Sequence, residues 1–159
     1  MSESILDGLS ILAVDDEPDV LDTLETVIKT ACPGCRFDKA ATFEEAADLL
    51  KSNHYDIVIL DVMGVRGFDL LEIAVKREFR VVMLTAHALS PEALRKSHDL
   101  GARAYVPKEK MVEIVPFLED VLRYDHMSGW KRLLYKLENY FDDRFDSGWR
   151  KKADPGYWW

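Results

Sequence analysis

Short runs of apolar residues recur through most of the chain: Ile11 to Val14, Ile57 to Leu60, Val81 to Leu84, then Tyr105 with Val106. Segments of helical periodicity separate them, and that alternation predicts a parallel sheet buried on both faces. Val20, Leu21, Leu24, Val27 and Ile28 share one face of a helix that Pro18 can start, because proline suits the first helical position. Thr42 with Glu45 reads as a capping box, with Phe43, Ala46, Ala47 and Leu50 as the apolar face behind it. Phe68 to Glu78 supplies a third helix, and Ser90 followed by Pro91 opens a fourth. Roughly Met111 to Arg123 supplies the fifth, with Pro116 near its start or bending it. The segment Cys35 to Ala40 alternates instead, as an edge strand does. Five repeats of strand then helix predict a doubly wound α/β sheet, whose ligand site lies beyond the carboxyl ends of the strands.

The pattern changes near Tyr124 to Gly129, which divides the chain into residues 1–124 and an extension, 125–159. From Trp130 the apolar positions Leu133, Leu134, Leu137, Tyr140, Phe141 and Phe145 form one stripe at helical spacing. The extension also holds nine of the seventeen aromatic residues and every tryptophan. An isolated helix must bury such a stripe somewhere. It folds back as a sixth helix, pairs with a second copy, or docks on another protein. The closing DPGYWW frays unless its aromatics dock. A chain cut after Tyr124 is expected to keep a folded domain.

Charge sharpens the division. Residues 1–124 carry 23 acids and 14 bases, net −9, whereas 125–159 carry 6 acids and 7 bases, net +1. A total of −8 argues against a protein that grips nucleic acid through its phosphates, and no DNA partner is expected. Thirty-five residues are also too few for a usual winged-helix output domain. The longest stretch without Asp, Glu, Lys or Arg, Val81 to Pro91, is eleven residues, too short to span a bilayer. The first residues are acidic where a secretory signal is basic, so a cytoplasmic location and no membrane partner are expected.

The residues just past the strand ends are Asp15 with Asp16, Asp61, Thr85 with Ala86, and Lys108. Three carboxylates drawn into one crevice must take up protons or hold a hard divalent cation, for which Mg²⁺ (or Mn²⁺) is the natural occupant. Such a site suits phosphoryl transfer to a carboxylate, with a lysine and a hydroxyl on the phosphoryl oxygens. Asp61 is the expected nucleophile, because it ends the most apolar strand, IVIL. Taken alone, Asp15 and Asp16 also suit a helix N-terminus, where acids face the dipole. Cys32 and Cys35 spell CPGC, but two cysteines make half a structural zinc site, and ordinary thiols around a Pro-Gly turn are expected. His87 is placed either to influence water at Asp61 or simply to sit solvated, and His54, His98 and His126 form no ligand spacing.

The run ILAVDDEPD, the strand end IVILD, Thr85-Ala86 in VVMLTAHA and Lys108 in GARAYVPK together resemble the receiver domain of bacterial two-component response regulators. The resemblance covers roughly residues 8–124. It implies a CheY-like fold with strand order 2-1-3-4-5, to which the stripe from Trp130 adds a C-terminal helix. It implies an aspartyl phosphate at Asp61, taken from a sensor histidine kinase, a phosphotransfer protein or a small donor such as acetyl phosphate. Asp16 and Asp61 would bind the metal through side chains, Asp15 through water, and Met63 through its carbonyl. Lys108 and Ala86 would contact the phosphoryl group, Thr85 would be the switch hydroxyl, and Tyr105 the aromatic that moves with it.

Two positions depart from the pattern. The loop after Asp61, VMGVRG, lacks the usual proline and reaches Gly67 six residues on instead of eight. Pro107 precedes Lys108 and Glu109 follows it, where the family has a cis proline after the lysine. A cis Lys108-Glu109 bond would cost about 2.5–4 kcal/mol, so the lysine retains strain or is held differently. The expected function is a stand-alone response regulator that signals to a downstream protein partner, with a homodimer possible, and that catalyses only its own phosphorylation and dephosphorylation. A phosphorylation-independent adaptor is the alternative. An aspartyl phosphatase fits less well, since Asp61 lacks a second acid two residues on.

Overall fold

The computed structural model describes residues 5–86 and 90–159. Five parallel strands form one sheet in the order β2-β1-β3-β4-β5: β1 Ser10–Val14, β2 Arg36–Ala40, β3 Ile57–Asp61, β4 Arg80–Thr85 and β5 Ala104–Pro107. The register sets Val14 beside Leu60 and Asp61 beside Leu84, so the first, third and fourth strands finish level. Every residue of β3 is buried, whereas β2 is buried only at Ala40, which is what its alternating sequence requires of an edge.

The helices follow the patterns that predict them. α1 (Pro18–Ala31) has proline in its first turn and buries Val20, Leu21, Leu24 and Ile28. α2 (Phe43–Ser52) is capped by Thr42, whose hydroxyl accepts the Glu45 N–H. α3 spans Gly67–Lys76, and α4 (Pro91–Asp99) is capped by Ser90. The single fifth helix expected from Met111 is in fact two pieces: a 3₁₀ helix at Lys108–Glu113, then α5 at Ile114–Arg123. Pro116 falls in the first turn of α5, where it breaks no hydrogen bond. α1 packs beside α5 and α2 beside α3.

The extension folds back onto this body. α6 (His126–Arg144) starts at an Asp125 cap and buries Trp130, Leu133, Leu134, Leu137 and Phe141, and a short α7 (Trp149–Ala153) packs against α4. These side chains share one hydrophobic core with the sheet. Trp130 is fully buried and donates its indole N–H to the Ala102 carbonyl at 2.9 Å. Lys136 reaches the buried Asp120 of α5 at 2.6 Å. The terminal aromatics dock as well: Trp158 stacks on Trp130, and the Tyr157 hydroxyl meets His98 Nε2 at 2.8 Å. The Asp154 carboxylate ties off the turn by accepting the N–H groups of Gly156, Tyr157 and Trp158. Of the three possible homes for the stripe, the chain's own sheet and helices are the one observed. We expect Trp130→Ala to destabilise the protein by about 3–5 kcal/mol, checked by denaturant unfolding.

No helix among the described residues is long and apolar enough to cross a membrane.

Candidate functional site

Each of the three level strands hands over a polar residue at its carboxyl end. Asp15 and Asp16 follow β1, Asp61 ends β3, and Thr85 ends β4. Lys108 follows β5 as the first residue of the 3₁₀ helix. Together they border a crevice of about 230 Å³ lined by Asp16, Glu17, Asp61, Met63, Gly64, Thr85, Ala86 and Lys108. Asp15 lies beneath it, fully buried, with one carboxylate oxygen accepting the Glu17 N–H at 2.9 Å. Its own N–H is spent on the Ala40 carbonyl, so the buried backbone there is satisfied.

Lys108 joins these acids. Its ammonium lies 2.9 Å from Asp15, 3.1 Å from Glu17 and 3.3 Å from Asp61. It reaches them from a trans backbone, since no cis peptide occurs among the described residues. The lysine is thus held differently from the family pattern, by a 3₁₀ turn entered from Pro107. Burial works against the ammonium, but Asp15, Glu17 and Asp61 outweigh it and hold Lys108 above its ordinary range. Burial pushes the Asp15 carboxyl up against the pull of Lys108. The same burial, joined by the charge of Asp15, pushes Asp61 up to about 6.

The shortened loop closes by backbone means. Gly64 adopts φ of 69°, and the Val65 N–H donates to the Met63 carbonyl at 2.6 Å, a three-residue turn. Arg66 follows at φ of 56°, in the left-handed region where a non-glycine residue is uncommon. The Met63 carbonyl therefore already accepts one hydrogen bond, which leaves it a second lone pair. A Cβ on Gly64 would press on the Asp16 carboxylate, and one on Gly67 would overlap the Asp61 carbonyl oxygen. Only glycine lets α3 begin so close behind the strand end. We expect Gly67→Ala to cost about 3 kcal/mol or more, read as a fall in thermal midpoint.

Asp15, Asp16 and Asp61 each offer an oxygen within 4.8 Å of the others. The donors are all oxygen, and one ammonium faces three carboxylates plus Glu17, so negative charge is left over. That imbalance and donor set fit a hard divalent cation. A consequence appears in metal-free protein. Between its ordinary range and about 6, Asp61 holds a proton in the native state that the unfolded chain lacks, so its contribution to stability falls as pH rises. The thermal midpoint of Asp61→Asn should exceed that of the parent near neutral pH, and the gap should shrink towards about pH 4. A gap that is constant across that range contradicts the coupling.

Of the residues that border the crevice, all but Glu17 and Gly64 are legible as site residues in the sequence. Glu17 is legible only as a third acid after two, and Gly64 only as a glycine in a short loop. Ala86 is exposed at the crevice rim, and Tyr105 is fully buried behind Thr85. His87 lies outside the described residues. Cys32 and Cys35 are buried at the other end of β2, and burial, with Cys35 and Asp7 nearby, pushes the Cys32 thiol up to about 11. Such a thiol stays protonated and unreactive.

Comparison with known proteins agrees with this fold. A family model described as the response regulator receiver domain matches residues 11–117. The chain is 38% identical over 153 residues to the Arabidopsis thaliana two-component response regulator ARR18, covering 92% of this chain and 23% of that protein. It is 32% identical over 108 residues to the Bacillus subtilis transcriptional regulatory protein YvrH, covering 65% and 44%. The chain thus spans less than half the length of these relatives. Among solved structures, a LuxR-family two-component response regulator from Aurantimonas superposes with a TM-score of 0.66 at 27% identity, covering 74% of this chain and 86% of that one. A putative response regulator from Chloroflexus aurantiacus gives 0.64 at 28%, covering 74% and 100%.

Proposed function

This chain belongs to the response regulator receiver family of two-component systems, and we propose that it is a phosphorylation-controlled switch whose acceptor is Asp61. One observation carries the reading: Asp15, Asp16, Asp61, Thr85 and Lys108 converge at one crevice from four strand ends, with the Lys108 ammonium 3.3 Å from Asp61. An Asp61 oxygen attacks the phosphorus of a donor, either the phosphohistidine of a kinase or phosphotransfer protein or a small acyl phosphate. The new O–P bond forms as the bond to the donor breaks, and the leaving group keeps that electron pair. Hydrolysis by water returns the carboxylate.

Lys108 turns from its carboxylates to the incoming phosphoryl oxygens, where a charge-assisted bond is strongest. The Thr85 hydroxyl, at the end of β4, and Ala86 beside it supply the remaining contacts. Mg²⁺ or Mn²⁺, when bound by Asp15, Asp16, Asp61 and the Met63 carbonyl, supplies positive charge that lets an anionic donor approach a carboxylate. The protein acts as a signalling module, and its output is contact with a downstream protein.

Intact mass spectrometry after incubation with acetyl phosphate tests this. With Mg²⁺ a single phosphoryl increment is expected, and with chelator none. A folded sample that gains nothing under either condition leaves the phosphorylation-independent adaptor.

A further inference from the structure

The helix that turns its hydrophobic stripe inward shows a different surface outward. From His126 to Leu137, α6 holds three bases, Lys131, Arg132 and Lys136, and no acid. On a chain of net charge −8 this is a local reversal of sign. Arg132 and Lys136 share one carboxylate, that of Asp120, at 3.4 and 2.6 Å. Glu138, further along the helix, lies 3.4 Å from Arg150, which also pairs with Asp142. Lys131 enters no ion pair among the described residues. Three cations against the single carboxylate of Asp120 leave positive charge over.

Tyr135 stands among these bases and is 83% exposed. It is the one aromatic residue of α6 outside the buried stripe, and its ring and hydroxyl have no partner among the described residues. Two hollows, each of about 330 Å³, share Tyr135 and Lys131 as walls. The first is largely apolar, since the buried Leu134 and Trp158 line it together with Tyr157. The second is completed by Arg132 and Lys136. An apolar seat therefore lies beside a ring of cations.

We propose that this outer face of α6 docks an acidic segment of a partner protein. An aromatic or aliphatic side chain of the segment sits beside Leu134, Tyr135 and Trp158, and its carboxylates meet Lys131, Arg132 and Lys136. Charge chooses this occupant. Residues 1–124 carry net −9, so an acidic segment is repelled from most of the surface and drawn here, which both steers and orients it. A basic segment meets the reverse. A two-fold pairing of the face with itself sets its cations against their own copies. Three cations neutralise too few phosphates to hold a nucleic-acid strand against the charge of the body. Tyrosine and arginine are common interface anchors, and a tyrosine loses little side-chain freedom when it is covered. The face shares no residue with the crevice, so the proposal stands apart from phosphorylation of Asp61.

The test offers the immobilised full-length protein a phage-displayed library of random dodecapeptides. Retained peptides are expected to be rich in Asp and Glu and to carry a Phe, Tyr, Trp or Leu. Synthesised singly, they should bind less tightly as salt rises and lose about tenfold or more in affinity on Lys131→Glu and on Tyr135→Ser. Both side chains are exposed, and circular dichroism matching the parent checks that the variants fold. Retained peptides without an acidic excess, or peptides that bind both variants as well as the parent, overturn the proposal. A library that yields nothing above a bare surface overturns it as well. Two controls address other occupants: sedimentation of the protein alone, and titration with single-stranded oligothymidylate. Neither is expected to change on Tyr135→Ser. A dimer that this variant dissolves gives the face to a second copy, and oligothymidylate binding that it abolishes gives the face to a nucleic acid; either contradicts the proposal.

Discussion

Asp61→Asn is expected to reduce phosphoryl incorporation from near one per chain to background, with the fold intact. The amide lacks the anionic oxygen that attacks phosphorus, and no neighbour takes its place. Asp15 is fully buried beneath the crevice, and Asp16 sits exposed at its edge. Stability should hold, because the change preserves shape and removes one of several like charges in a place where burial already pushes the Asp61 carboxyl up to about 6. Matching circular dichroism with no mass increment confirms the expectation. Incorporation at the parental level in this variant moves the acceptor elsewhere.

Cutting the chain after Tyr124 is expected to lower the thermal midpoint by about 10 °C or more, or to make the product aggregate. The excised segment carries Trp130, Leu133, Leu134, Leu137, Phe141, Trp149 and Trp158, all buried in the common core. Their removal uncovers Tyr105, leaves the Ala102 carbonyl without the Trp130 indole, and strips Asp120 of Lys136 and Arg132. One buried tryptophan alone is worth about 3–5 kcal/mol, against a total stability of about 5–15 kcal/mol for a domain. The ordering cost of the segment disappears with it, so the net loss is smaller than the sum of its contacts. At about 2–4 °C per kcal/mol for a chain of this size, a loss near 4 kcal/mol gives the stated shift. A truncated chain that unfolds at the parental temperature shows instead that residues 1–124 are self-sufficient, as the sequence alone suggests.

The receiver was legible because each of its elements is locally overdetermined. Thr42 and Ser90 cap the helices they precede, and the apolar runs become strands because nothing else in the sequence could bury them. Asp15, Asp61, Thr85 and Lys108 could be placed together because strand ends in a doubly wound sheet share one edge. Three features escaped that reasoning. The stretch Met111 to Glu113 has helical composition, but it belongs to a 3₁₀ turn that carries Lys108 to Asp15 and Asp61, so a tertiary ion pair overrides the local preference. Glu17 enters the site because the loop after β1 turns its carboxylate onto Lys108, a choice no periodicity records. The resting place of the stripe from Trp130 to Phe145 was undecided, since an amphipathic pattern states what must be buried and not against what. The Trp130 indole on the Ala102 carbonyl and His98 beside Tyr157 settle it through groups distant in sequence.

The most direct test of the account is to locate the phosphoryl group. After reaction with acetyl phosphate and Mg²⁺, borohydride reduction converts an aspartyl phosphate to homoserine, and peptide sequencing by mass spectrometry reads the position. The account predicts conversion at Asp61 and nowhere else. Conversion at Asp15 or Asp16, or a stable phosphoryl group on a side chain that borohydride leaves untouched, would contradict it.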